Sequence, residues 1–171
     1  NLGAYGDAGA IITNDDDLAG RCRMYANHGA LEKHKHQIEG INSRMDGLQA
    51  AVLTAKLPYI LNWNRKRAEH GRLYNDLLST VNGIVTPQIR PNVAHVFHLY
   101  VIRTSLRNQL QQYLRDRGID TAVHYPIALP FMNAYGYLGH TPADFPKAHQ
   151  YQDEILSLPL YPELEPEDIV Y

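Results

Sequence analysis

Cysteine is almost missing from this chain. Cys22 is the single one in 171 residues, so no internal disulfide can form, and the chain fits a reducing, cytoplasmic setting. Long apolar runs are missing too, so no stretch can span a bilayer, and no signal-peptide pattern is visible. Neither charge is in excess. Sixteen Lys and Arg stand against 18 Asp and Glu, a net charge of -2, which gives nucleic acid or an anionic membrane no basic face to bind. The one basic cluster, Arg65 to Arg67, reads as a solvated helix face. Catalytic signatures are equally scarce: there is no Cys pair, no HExxH, no GxSxG, and the spaced glycines match neither a Walker loop nor the dinucleotide fingerprint. What remains is 44% hydrophobic and 20% charged, ordinary for a soluble globular protein and enough for one domain or two small pieces of a larger one.

Nine histidines invite a metal reading. The pairs are His34 with His36 and His95 with His98, and His124 stands alone. No carboxylate sits at zinc-like spacing, and His95 and His98 lie an odd number apart on an expected strand, facing opposite ways, so no metal site is expected. Cys22 falls on the inward side of an expected helix, which argues against a nucleophile.

Residues 40 to 81 form the spine. Ser43 followed by Asp46 has the pattern of a capping box. Met45, Leu48, Val52, Ala55 and Tyr59 then recur at helical spacing, Pro58 predicts a kink or restart, and the pattern resumes through Ile60, Trp63, Arg67, Gly71, Tyr74, Leu78 and Val81. Ahead of this spine, three glycines in Asn1 to Gly9 predict a tight loop. Gly9 to Thr13 reads as a buried strand. A helix over Asp15 to Asn27 is expected, with Asn14 as its cap, Leu18, Cys22 and Tyr25 inward, and His28-Gly29 as its end. Residues 30 to 40 read as a polar loop.

Beyond the spine, Val81 to Gly83 is a turn and Ile84 to Thr86 a short strand. His95 to Thr104 has the strongest strand pattern in the chain. Ser105 is expected to cap a helix that ends at Arg117-Gly118, with Leu106, Leu110, Tyr113 and Leu114 inward. Ile119 to His124 is another strand, Pro130 to Leu138 a helical turn, Ala143 to Leu156 a helix, and Ser157 to Pro162 is extended. Physics alone supports an α/β piece followed by an α+β domain.

Several motifs then fall in one order. They are Asn1-Leu2-Gly3-Ala4-Tyr5-Gly6-Asp7-Ala8-Gly9-Ala10, Asn27-His28-Gly29, Gly40-Ile41-Asn42-Ser43-Arg44-Met45-Asp46 with Gln49-Ala50-Ala51, His98-Leu99-Tyr100, His124-Tyr125-Pro126, and Leu156-Ser157-Leu158-Pro159-Leu160-Tyr161-Pro162. Together they resemble the DegT/StrS family of sugar aminotransferases, fold-type I enzymes that use pyridoxal 5'-phosphate (PLP). The resemblance covers essentially the whole chain. It implies the C-terminal part of such an enzyme: 1–56 as the tail of the large PLP-binding domain, 57–82 as a linking helix, and 83–171 as a small α+β domain. It also implies a homodimer acting on a nucleotide-linked sugar, with an amino-acid donor such as glutamate. The Schiff-base lysine would then precede Asn1, so the chain alone is expected to be inactive, with apolar surface exposed on the linking helix. Some members carry a histidine in place of that lysine and act as dehydratases; a non-catalytic regulatory or dimerisation module is a further alternative.

The resemblance also assigns residues. Asn42 matches an asparagine that reaches the PLP phosphate of the neighbouring subunit; without the resemblance it reads as a loop or capping amide. Arg44 matches a position near the site, either on a sugar or phosphate group or paired with a carboxylate. His124 and Tyr125 match a segment beside the sugar pocket, where packed aromatics are the other reading. His98 is assigned to the sheet. Many relatives carry a histidine where this chain reads Ala128-Leu129-Pro130, which leaves the substrate open.

Overall fold

A carboxylate opens the first helix. Asp15 Oδ1 accepts from the Leu18 amide at 3.0 Å, and α1 runs Asp16–Ala26. The cap lies one residue beyond the expected Asn14, where an acid also suits the positive end of the helix dipole. The structure is a computed structural model that describes all residues 1–171, in two compact units: Leu2–Ile60, and Leu61–Tyr171 together with Asn1.

In the first unit the turn that follows α1 closes at Gly29, whose φ is +80° and whose amide donates to Met24 O at 2.8 Å. A side chain at Gly29 would strike the Ile38 carbonyl, and one at Gly40 would strike the Gly29 amide. Backbone thus packs directly on backbone here. Residues 30 to 40 are not the polar loop expected. They form a hairpin of β1 (Ala30–Glu32) and β2 (Lys35–His36), with His34 at positive φ in the turn and a Lys35–Glu32 ion pair beside it. Strands of two and three residues are too short to show alternation, and the turn has histidine where glycine would have flagged it.

Gly9 to Thr13 is not a strand. It is irregular, and Ile12 is 94% exposed. A β-branched run becomes a buried strand only with neighbours to pair with, and nothing in this chain pairs with it. The capping box also fails: the Ser43 amide donates to Ala26 O at 2.9 Å, and α2 begins later, at Gly47–Lys56, behind Asp46. Pro58 acts as expected. Leu57–Tyr59 is a 3-10 turn, and α3 restarts over Ile60–Leu78. The expected apolar stripe of α2 is present, yet the helix buries no residue, and Leu48 is 75% exposed.

The second unit has a true core. α3 turns His70, Gly71 and Tyr74 inward. β3 (Tyr100–Arg103) pairs antiparallel with β4 (Ile155–Leu158), Ile102 opposite Leu156. Single bridges flank this pair, Val85 to Arg103 on one side and Ala122 to Ser157 on the other, so the expected strands 84–86 and 119–124 are reduced to one rung each. Between β3 and β4 come α4 (Arg107–Arg115), 3-10 turns at Leu129–Phe131 and Asn133–Leu138, and α5 (Pro146–Glu154); α6 (Pro166–Val170) follows β4. Ser105 does not cap α4. The hydroxyl of Thr104 accepts from the Leu106 amide at 3.2 Å instead. Leu110 and Leu114 face the core, while Leu106 and Tyr113 are exposed.

The strand expected over His95 to Thr104 starts five residues late. Phe97 turns at φ +38° and is 1% exposed, because Gly71 on α3 leaves room for its ring; a Cβ there would lie 2.7 Å from it. Arg67 fastens the same turn. Its Nη1 donates to the carbonyls of Phe97 (3.3 Å), His98 (3.2 Å) and Leu160 (2.9 Å), while its Nε is buried without a partner. Burial draws the Arg67 pKa below its ordinary value, partly opposed by Glu163. Tyr74 stacks on Tyr100 with ring centroids 4.7 Å apart, and their hydroxyls donate to Pro159 O (3.0 Å) and Asn75 Oδ1 (2.7 Å). Burial first, then Tyr161 and Asp168, pushes Tyr74 up to about 12, and burial raises Tyr100 as well.

Candidate functional site

Asn42 and Arg44 are strapped to the end of α1. Asn42 bridges Asn27, and the Ser43 amide bonds Ala26 O. Within this strap Arg44 Nε donates to Asn42 Oδ1 at 3.2 Å. An arginine can only donate, so the amide oxygen must face it, and Asn42 Nδ2 is turned the other way, with no partner in the chain. Both side chains are exposed. A groove of about 690 Å³ runs beside them, walled by residues of the glycine-spaced loop from Asp7 to Ile11 and by Cys22, Arg23 and Arg44; Asn42 stands outside its lining. A neutral amide donor held by a guanidinium group is suited to anionic oxygens.

His124 and Tyr125 belong to the other unit. They follow the Ala122–Ser157 rung, where His124 is half-buried and its Nδ1 lies 2.9 Å from Ser157 Oγ. Tyr125 is exposed, its ring edge-on to His124 with centroids 5.5 Å apart. The structure thus joins Asn42 to Arg44 by a hydrogen bond and sets His124 against Tyr125. His98 is not part of the sheet. It precedes β3, is exposed, and its Nδ1 meets Asn1 Oδ1 at 3.0 Å; Asn1 Nδ2 donates to Asn64 Oδ1 at 2.6 Å and to Val96 O at 2.9 Å. His95 is likewise outside the strand, its Nδ1 accepting from the Phe97 amide at 3.0 Å. No three His, Cys, Asp or Glu side chains gather as metal ligands, and no helix is long and apolar enough to cross a membrane.

Sequence reasoning missed two residues at these places. Arg67 appears in the apolar stripe of the spine, and an arginine on such a stripe is the visible sign of a buried carbonyl clamp. Ser157 left a fainter trace, one hydroxyl inside the apolar run Leu156-Ser157-Leu158.

A mixed helix and strand chain with these elements matches the solved structures of PLP-dependent aminotransferases. DesV of S. venezuelae, solved in complex with a ketimine intermediate, superposes with a TM-score of 0.96 at 38% identity, over 99% of this chain and 46% of that one. NtdA of Bacillus subtilis, solved with bound PMP, gives 0.81 at 32% identity, over 98% of this chain and 41% of that one. The chain belongs to the DegT/DnrJ/EryC1/StrS aminotransferase family, whose model matches residues 1–171. Among named relatives, a pleiotropic regulatory protein of Geobacillus stearothermophilus is 43% identical over all of this chain and 46% of its own length. The dTDP-3-amino-3,4,6-trideoxy-alpha-D-glucose transaminase of Streptomyces venezuelae is 39% identical over 96% of this chain and 44% of its own. The chain thus spans less than half the length of the curated relatives it matches.

Proposed function

We propose that the whole protein carrying this chain moves an amino group, with glutamate as donor, onto the keto group of a nucleotide-linked sugar, as a cytoplasmic PLP-dependent homodimer. The observation that supports this most is the outward-facing amide of Asn42, held by Arg44 within a chain that matches the aminotransferase family from end to end. In this reading residues 1–56 belong to the cofactor domain, 57–82 link, and 83–171 form the small domain. In this reading none of the five lysines here carries the cofactor; Lys35 is paired with Glu32, and Lys56 Nζ donates to Gly3 O at 2.6 Å. The rest of the protein supplies the lysine that does, and the 171 residues alone are inactive.

The residues present fit the cofactor's phosphate. Asn42 Nδ2 has a free donor to offer an anionic oxygen, and it would hold the phosphate on the neighbouring subunit's cofactor. Arg44 orients that amide through Nε and keeps its remaining N–H donors for a phosphate or sugar oxygen. His124 Nε2 and the Tyr125 hydroxyl bind the sugar. The bound cofactor supplies the electron sink through which nitrogen is exchanged.

The test uses the full-length protein. L-glutamate should bleach the cofactor's visible band and release one equivalent of 2-oxoglutarate, and Asn42→Ala should weaken PLP binding by about tenfold or more, the worth of a hydrogen bond to a charged group. Unchanged absorbance with every amino donor would sink the aminotransferase reading. A second reading is favoured by one relative, the pleiotropic regulatory protein. A non-catalytic dimerising module would self-associate tightly, and the full-length protein would turn over no amino donor.

A further inference from the structure

Ser157 lies in the middle of β4 and is 4% exposed. Its backbone is fully used, with its amide donating to Ala122 O at 2.7 Å and its carbonyl accepting from Ala122 N at 3.2 Å. Its hydroxyl has one partner, Nδ1 of His124 at 2.9 Å. The register explains the reach. Ala122 sits opposite Ser157, and His124, two residues on and on the same face, meets it on the diagonal.

A hydroxyl kept from water needs an acceptor for its proton, and leaving that proton unpaired is costly. The ring nitrogen is the one acceptor the structure gives it. The Ser157 hydroxyl therefore donates, Nδ1 of the neutral imidazole is bare, and the ring proton sits on Nε2. Nε2 bonds nothing in the chain and is not among the buried unpaired atoms, so it faces solvent.

The geometry points to Ser157 as a positioning residue that locks His124 into one tautomer, a hydrogen-bond donor through Nε2. A donor so fixed reads an acceptor on its ligand, such as the oxygen of a keto group, a sugar ring or a phosphate, and does not take a proton from it. The functional side of this assignment rests on His124 meeting the sugar, as proposed above. The tautomer itself stands without that reading.

The experiment labels the full-length protein with 15N-histidine and assigns the His124 signals by their loss in His124→Gln. The wild type should show a protonated Nε2 and a bare Nδ1. Ser157→Ala should shift His124 toward a mixture with Nδ1 protonated, and Ser157→Thr, which keeps the hydroxyl, should restore the wild-type pattern. Circular dichroism confirms that each variant is folded. A protonated Nδ1 in the wild type, or an unchanged pattern in Ser157→Ala, overturns the assignment. In turnover, Ser157→Ala should raise KM for the nucleotide-sugar by about fivefold, the worth of one hydrogen bond, with kcat little changed. If the 15N pattern shifts while KM stays put in both Ser157→Ala and His124→Gln, the tautomer holds and the substrate role of His124 falls.

Discussion

The two units spend their apolar residues in opposite ways. Leu61–Tyr171 gathers Tyr74, Phe97, Tyr100, Ile102, Leu156, Leu164 and Ile169 into one buried cluster. Leu2–Ile60 buries only Gly29 and Ala30, and leaves Ile11, Ile12, Leu48 and Leu57 facing solvent. The first is held by its own contacts. The second is held by backbone hydrogen bonds around the Gly29–Gly40 crossing and carries hydrophobic side chains that its own residues do not cover. A stripe at helical spacing therefore says that a helix has a greasy side, and not which body covers it.

Hydrogen exchange should show the largest contrast. Amides of β3 and β4 should exchange at least a thousandfold more slowly than those of residues 9–13, on the order expected between globally and locally opened sites. Equal protection would erase the distinction. Truncation comes next. Tyr100→Ala or Phe97→Ala should cost about 3–5 kcal/mol, whereas Leu48→Ala should stay within about 0.5 kcal/mol, both read from urea midpoints. A large loss at Leu48 would mean that α2 is covered. In the full-length protein that cost should rise, which would identify the rest of the protein as the cover.

Glycine substitutions sharpen the contrast further. Gly71→Ala pushes a methyl into the Phe97 ring and should cost about 1–3 kcal/mol in the 61–171 unit. Gly29→Ala should release the hairpin, seen as lost protection at Gln37 and Ile41, while the midpoint of the β3–β4 unit stays in place. Within the 61–171 unit the mildest change is Tyr74→Phe, about 1 kcal/mol for the bond to Pro159. The same residue sets an alkaline limit. Its folded pKa, about 12, lies above the ordinary 10.0, so its contribution is complete below pH 10.0 and lost as pH rises through about 12. Tyrosinate absorbance and circular dichroism followed together should show the 61–171 unit giving way in that window. Residues 2–60 hold no buried tyrosine to impose the same limit.

Much of this was legible beforehand. Pro58 announced its own break, His28-Gly29 and Gly118 announced helix ends, and Pro130 to Leu138, read as one helical turn, holds the greater part of two short ones, because each depends on local backbone chemistry. The errors share a cause. Gly9 to Thr13 looked like a strand because β-branched residues favour one, yet pairing needs a neighbour. His95 to Leu99 looked like a strand because nothing local revealed that Gly71 and Arg67 would pull Phe97 out of line. Ser43 looked like a cap because the pattern does not reveal that its amide is taken by Ala26. Asn42 and Arg44 were legible as neighbours, but which end of the amide faces out required the contact between them. Ser157 showed only as a hydroxyl in an apolar run, and its role was not legible, since that lies in a histidine 33 positions away.

Arg67 gathers two distant stretches of chain on a single nitrogen. The turn before β3 and the run after β4 are therefore mechanically one object: a tug on Leu160 is felt at His98 through a rigid plane rather than through the length of both strands. Replacing that plane with the flexible stem of lysine would keep the charge and lose the latch.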